Sequence, residues 1–201
     1  MTLTAFPPPP SGADHNDLRQ EVRAFLAEEL SDFPPEKRAK SWNGFSRDFS
    51  RKLAQRGWVG MTFPEEYGGP GGTLTMACMA KEEVAKASFA VSHLVGATSI
   101  AMALPLTHYG TEEQRKKYLP EIAEGRTLTC IGLTEPHTGS DVSGIKTTAK
   151  RDGDDYVING QKVFITKADQ AKYILLFART SEGKGNDGIS SFIVPMDTPG
   201  V

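Results

Sequence analysis

Thr134, Gly139, Ser140 and Asp141 fall together in the stretch LTEPHTGSD at residues 133–141, directly behind the apolar run TLTCIG. A strand that ends at Thr134 presents a hydroxyl and backbone amides at a sheet edge, where they can bond a planar heterocycle or a phosphate. Pro136 stops further pairing, and Gly139 lets Ser140 and its neighbours come close to a ligand. The same residues can also serve only the loop, since Thr, Ser and Asp commonly satisfy local backbone donors. A second stretch, NGQKVFIT at residues 159–166, bears on the choice. Read as the returning arm of a hairpin turned at Asn159-Gly160, it sets Phe164 and Thr166 on one strand face. A ring beside a hydroxyl could cover and hydrogen-bond a flat cofactor. Aromatic residues of alternating strands also fill cores, so this pattern alone leaves both readings open.

The elements that must position these residues divide near Gly125. Before it, helical periodicity dominates: Leu18, Val22, Phe25, Leu26 and Leu30 recur at three- and four-residue intervals ahead of Pro34 and Pro35. Phe45, Phe49 and Leu53 repeat the pattern, and Gly57 is a natural stop. Further helices are expected over about 73–87 and 90–109, and small residues at Gly96, Ala97, Ser99, Ala101 and Ala103 permit either close helix packing or room for a ligand chain. Thr111 and Gln114 form a capping box for TEEQRKKYLPEIAEG, in which Pro120 predicts a kink or break and Gly125 an end. After Gly125 the segments TLTCIGL, IKTTAKRD, DYVING, QKVFIT, YILLFART and SFIVPM are short, β-branched or aromatic, and bounded by turn residues. The chain therefore reads as α+β.

With 201 residues, the chain is long enough to bury a sizeable core. A net charge of -2 gives no electrostatic reason to expect nucleic acid or an anionic membrane as partner. The most apolar stretch, VGATSIAMALPL, is interrupted by Pro105 and too short to span a bilayer. Cys78 and Cys130 lie in apolar surroundings without metal spacing, so both are expected as buried, reduced thiols, which points to the cytoplasm. The four histidines show no ligand spacing either. The glycine cluster GGPGG lacks the Lys-Ser/Thr of a phosphate loop and reads as a connector.

The stretches FPEEYGG, YGTEEQRKKYLPEIAEG, LTEPHTGSD, YVINGQKVFIT and FIVPMDTPGV, in that order and spacing, resemble the acyl-CoA dehydrogenase family. Residues 1–13, with four consecutive prolines, read as a Pro-rich arm, and from residue 14 the resemblance implies an N-terminal helical domain at 14–125 and a truncated middle domain at 126–201 of antiparallel β-barrel or sandwich type. It also implies FAD and an acyl-CoA substrate. Carried onto this chain, Ile131, Leu133 and Thr134 would lie along the isoalloxazine, Gly139 and Ser140 would border the cofactor or the bound thioester, and Phe164, Ile165 and Thr166 would line the other side of the ring. Relatives often have Trp at the position of Phe164 and Asn at that of Lys167. The implied reaction is α,β-dehydrogenation, with a carboxylate taking the α-proton and the β-hydride passing to the flavin.

The family's catalytic glutamate belongs to a C-terminal helical domain that this sequence does not contain, so no catalytic residue is expected in it. Glu135 matches a loop acid of the family, not that base. The isolated chain is accordingly expected to be inactive. Implied partners are electron-transferring flavoprotein and either further copies of the chain or a chain carrying the C-terminal domain. Competing expectations are a flavin oxidase or monooxygenase on the same fold, and a non-catalytic truncated scaffold that needs a partner chain.

Overall fold

The computed structural model describes residues 15–32, 34, 36, 47–88, 102–183 and 185–201. The Pro-rich arm, Phe45, His93 and the small residues from Gly96 to Ala101 lie outside the described residues. Helix α1 spans Asn16–Glu29, α2 Arg47–Gln55, α3 Leu74–Ala87, α4 Leu104–Tyr109 and α5 Glu112–Ala123. Strands β1 (Thr129–Gly132), β2 (Thr148–Asp152), β3 (Asp155–Asn159), β4 (Tyr173–Arg179) and β5 (Ile189–Pro195) follow.

The helices form where their sequence signals place them. The predicted face of α1 is buried at Val22, Phe25 and Leu26, and with Leu30 it packs against Phe49, Leu53, Trp58, Ala80 and Val84. Helix α5 opens with the expected capping box: Thr111 Oγ1 accepts from the Gln114 amide and the Gln114 side chain accepts from the Thr111 amide. It runs through Pro120 without ending there, and stops at Gly125 instead. At that stop the Gly125 amide bonds Ile122 O and the Arg126 amide bonds Glu121 O, a Schellman closure that requires the left-handed φ of 65° at Gly125.

The α+β organisation holds, but the sheet is mixed and open, not a closed antiparallel one. Strand β4 is its centre. It pairs antiparallel with β5 along its whole length, while its other edge takes β1 in parallel from Tyr173 to Leu176 and then β2 at Arg179. Strands β1 and β2 thus share one edge of β4 in succession, and residues 133–147 form the excursion between them. One face of the sheet carries Tyr173, Leu175, Phe177 and Ile193 into a cluster with Phe63, Leu106, Leu119 and Ile122. The other face packs Ile174, Leu176 and Val194 against Cys130, Ile165 and Ala171.

The expected hairpin at Asn159-Gly160 is not formed. Strand β3 returns on β2 through Gly153-Asp154, whose flanking pair is Asp152 and Asp155. The φ of 62° at Gly153 is the first-position requirement of a II′ turn. Residues 160–166 form no strand, because at Gly160 the chain leaves the sheet and passes hard against Thr147, where a Cβ would stand 2.7 Å from the Thr147 Cα. Phe164 adopts φ 56°, incompatible with a strand, so Phe164 and Thr166 do not share a strand face. Cys130 is buried, as expected, with burial pushing its thiol up to about 11; Cys78 is exposed on α3, contrary to expectation.

Candidate functional site

The excursion between β1 and β2 is built around a buried acid. Glu135 and Thr138 exchange two backbone hydrogen bonds, 2.9 and 3.1 Å, which fold Pro136 and His137 into a tight turn. The Glu135 side chain turns inward and is only 3% exposed. Its Oε2 accepts from the Lys146 amide at 2.6 Å, and its Oε1 from the Thr147 amide at 2.9 Å and the Thr147 hydroxyl. Lys162 Nζ donates to Oε1 at 2.8 Å, and Nε2 of His137 lies 3.3 Å from Oε2. Burial is the largest single influence on this carboxyl and pushes its pKa up. The bonds from Lys162, Thr147 and the amides of Lys146 and Thr147 together outweigh it and hold the group at about 2.

The polar residues of this loop separate into two sets. Thr138 bonds the Asp141 carbonyl, and Asp141 Oδ1 accepts from the amide of Ser143 at 3.0 Å and from its hydroxyl, closing a short 3-10 turn at Val142–Gly144. Arg179 of β4 fastens that turn by donating to the carbonyls of Ser143 and Ile145. By contrast, the hydroxyls of Thr134, Ser140 and Thr166 bond no other described residue. Gly139 faces open space: a Cβ there would meet only the Thr134 methyl, at 3.9 Å. Of the nine residues 133–141, Glu135, Thr138 and Asp141 serve the loop itself, whereas Gly139 and Ser140 are exposed and the half-buried Thr134 keeps a hydroxyl with no partner among the described residues.

The structure brings the two predicted segments together, although not by the predicted hairpin. The Val163 amide bonds Thr134 O at 3.0 Å, and Lys162 Nζ donates to Leu133 O at 3.2 Å as well as to Glu135. Ile131 is partly exposed, Leu133 and Thr134 are half-buried, and Ser140 and Thr166 are exposed. Phe164 stands 93% exposed in a left-handed conformation that non-glycine residues rarely take, and Lys167 nearby has φ 65°. Ile165 turns the other way and packs against the Cys130, Ala171 and Ile174 cluster, leaving its backbone for any ligand. Sequence reading missed Lys162: a lysine two residues past an Asn-Gly looks like a solvated strand residue, and nothing local couples it to an acid 27 positions earlier.

The two segments thus bring into one junction a partly exposed apolar strand end, hydroxyls with no partner among the described residues, an open glycine and an exposed, strained aromatic residue. Residues 12–126 match the family signature "Acyl-CoA dehydrogenase, N-terminal domain", and residues 130–201 match "Acyl-CoA dehydrogenase, middle domain". The probable acyl-CoA dehydrogenase YngJ of Bacillus subtilis is 40% identical over 185 residues, 92% of this chain and 48% of that protein. Butyryl-CoA dehydrogenase from Megasphaera elsdenii aligns with a TM-score of 0.83 at 34% identity, covering 98% of this chain and 51% of its own. A glutaryl-CoA dehydrogenase from Mycobacterium smegmatis, solved in complex with FADH2, aligns at 0.82 and 30% identity over 93% of this chain and 46% of its own. The chain belongs to the acyl-CoA dehydrogenase family. It spans about half the length of the curated relatives it matches.

Proposed function

We propose that this chain supplies the flavin-facing and thioester-facing walls of an FAD-dependent enzyme that dehydrogenates an acyl-CoA across its α and β carbons. The observation that supports the reading is the junction of residues 133–135 with 162–163 through the Val163 amide and Lys162, which brings into contact the two segments that carry the candidate hydroxyls and the exposed Phe164 ring. The residues fit the cofactor: Ile131 and Leu133 offer apolar edge, the Thr134 hydroxyl is uncommitted, and the space over Gly139 is one that a Cβ would fill. Phe164, the backbone of Ile165, and Thr166 would close the other side, and Ser140 would face cofactor or thioester. When bound, FAD supplies the acceptor for the substrate's β-hydride.

We assign the α-proton to no residue of this chain. Glu135 is a poor base, since a carboxyl held at about 2 and occupied on both oxygens has little affinity for a proton at neutral pH. The purified chain is therefore expected to show no turnover, with activity requiring the half that its longer relatives carry in addition. The same reading places electron-transferring flavoprotein as electron acceptor, self-association or association with a chain carrying that half, and a cytoplasmic location. Among the described residues no helix is long and apolar enough to cross a membrane.

The test is a visible absorption spectrum of the chain after FAD addition and gel filtration, alongside Thr134→Ala. Retained flavin with a perturbed band supports the reading. Removing one hydrogen bond worth about 1 kcal/mol should weaken FAD binding about fivefold and move the band while the fold stays intact. An unchanged affinity and spectrum in Thr134→Ala would show that its hydroxyl faces elsewhere.

A further inference from the structure

We infer that Lys162 and Glu135 are positioning residues: they form a buried clamp that sets the spacing between the two margins of the proposed flavin site. The inference rests on that site reading, but the clamp itself is visible without it. Lys162 is the one cation that reaches Glu135 from the second segment, its side chain is 7% exposed, and its ammonium bridges two points of the first segment, the Leu133 carbonyl and the Glu135 carboxylate. These points lie on either side of Thr134, whose carbonyl takes the Val163 amide. Three bonds thus join 162–163 to 133–135, and the next residue is Phe164, in its left-handed conformation. A residue held at a sparsely populated φ persists only where its surroundings over-determine it, and this junction is what determines Phe164 from its N-terminal side.

The clamp is also anchored to the sheet. Glu135 is fixed by the amides of Lys146 and Thr147, immediately ahead of β2, while the Thr147 carbonyl takes the Arg179 amide of β4. Displacing the ammonium therefore frees 162–166 to move against a margin that stays attached to β2. Glu135 and Lys162 need touch no ligand for this. They act through Thr134 and Phe164, whose separation decides whether a flat ring can be held on both sides.

The test measures amide hydrogen exchange by NMR and FAD binding on the same chain. In Lys162→Met, exchange at Val163, Glu135 and Thr138 should rise about tenfold more than it does at the amides of β4 and β5. FAD affinity should fall about tenfold with a shifted flavin band, the effect of losing a hydrogen-bonded charge from the junction. Lys162→Arg, which keeps charge and donors, should recover most of both. If Lys162→Met does not fold, Glu135→Asp, which withdraws the carboxylate by one methylene, carries the same expectation. Wild-type exchange at Val163 in a folded variant would overturn the clamp, as would faster exchange with unchanged flavin affinity and spectrum. Exchange raised evenly through β4 would reduce the pair to an ordinary stabilising contact and overturn it too. A wild-type chain that binds no FAD would remove the site reading instead, leaving exchange at Val163 to decide the clamp.

Discussion

Glu83 in the helical half and Glu135 in the sheet half are both 3% exposed, and both carboxyls are held at about 2, yet by different means. Glu83 lies on α3 and is ringed by side chains: Arg23 from α1 grips it in two bonds of 2.7 and 3.0 Å, Arg19 reaches it at 2.6 Å, and Lys86 at 3.2 Å. The bonds from Arg23 are the largest influence on its pKa, and with Arg19 and Lys86 they overcome the cost of burial. Arg23 and Lys86 remain more than half exposed, so these cations approach from solvent along flexible stems. Glu135 has one buried lysine, two backbone amides and a threonine hydroxyl. The first arrangement is redundant and joins two helices. The second is directional and fixes the course of a loop, because backbone amides cannot swing away as side chains do.

The largest expected effect is on the directional site. Glu135→Gln removes the charge that neutralises the buried Lys162 ammonium and replaces one acceptor oxygen with an amide donor that cannot take the Lys146 or Thr147 amide, and breaking a buried pair in this way should cost about 3 kcal/mol or more, measured by urea unfolding at pH 7. A loss below about 1 kcal/mol would make the Glu135 pair no costlier to break than a single cation at Glu83 and remove the contrast.

The next largest effect is in pH dependence. Each carboxyl is depressed in the folded chain from an ordinary 4.5 to about 2, so each contributes stability that is fully present above the unfolded value and is lost as pH falls through the folded one. Stability should therefore decline from about pH 4.5 toward pH 2, by about 3 kcal/mol for each group. Unfolding curves of the wild type and Glu135→Gln should converge over that window. A gap that persists at pH 2 would mean the substitution harms the fold by something other than charge.

The smallest effect belongs to the redundant site. Arg23→Ala leaves Arg19 and Lys86 on Glu83, and should cost about 1 kcal/mol, with Arg19→Ala similar. The two together should cost more than the sum, since only then does a buried carboxylate lose its α1 partners. Strict additivity in this double-mutant cycle would show that the two arginines act independently.

Much of the scaffold was legible in linear order. The α1 stripe, the Thr111 and Gln114 box, the Gly57 and Gly125 stops, and strands β1 to β5 all follow from periodicity and punctuation, because helix caps and strand alternation are decided within a few residues. Lys162 and the role of Glu135 were not legible, since their partnership joins two segments that no local pattern connects. The Asn159-Gly160 reading failed for a related reason. Its hairpin signal was overridden by bonds from 162 and 163 to the loop at 133–135, while Gly153-Asp154, with glycine at the first position, took the turn between β2 and β3.

What the sequence determined alone is the described helices, strands β1 to β5 though not the loop that replaces a strand at 161–166, and the family to which the motifs belong. These depend on residue type and spacing, which any folded context preserves. Only the tertiary structure decided that β1 and β2 share one edge of β4, that Ser140 is exposed while Glu135 turns inward, and that Phe164 stands exposed in a left-handed conformation. The inward turn of Glu135 and the junction just ahead of Phe164 depend on where a buried charge finds its partners, and burying a carboxylate is tolerable only where amides, hydroxyls and an opposite charge converge on it from distant parts of the chain.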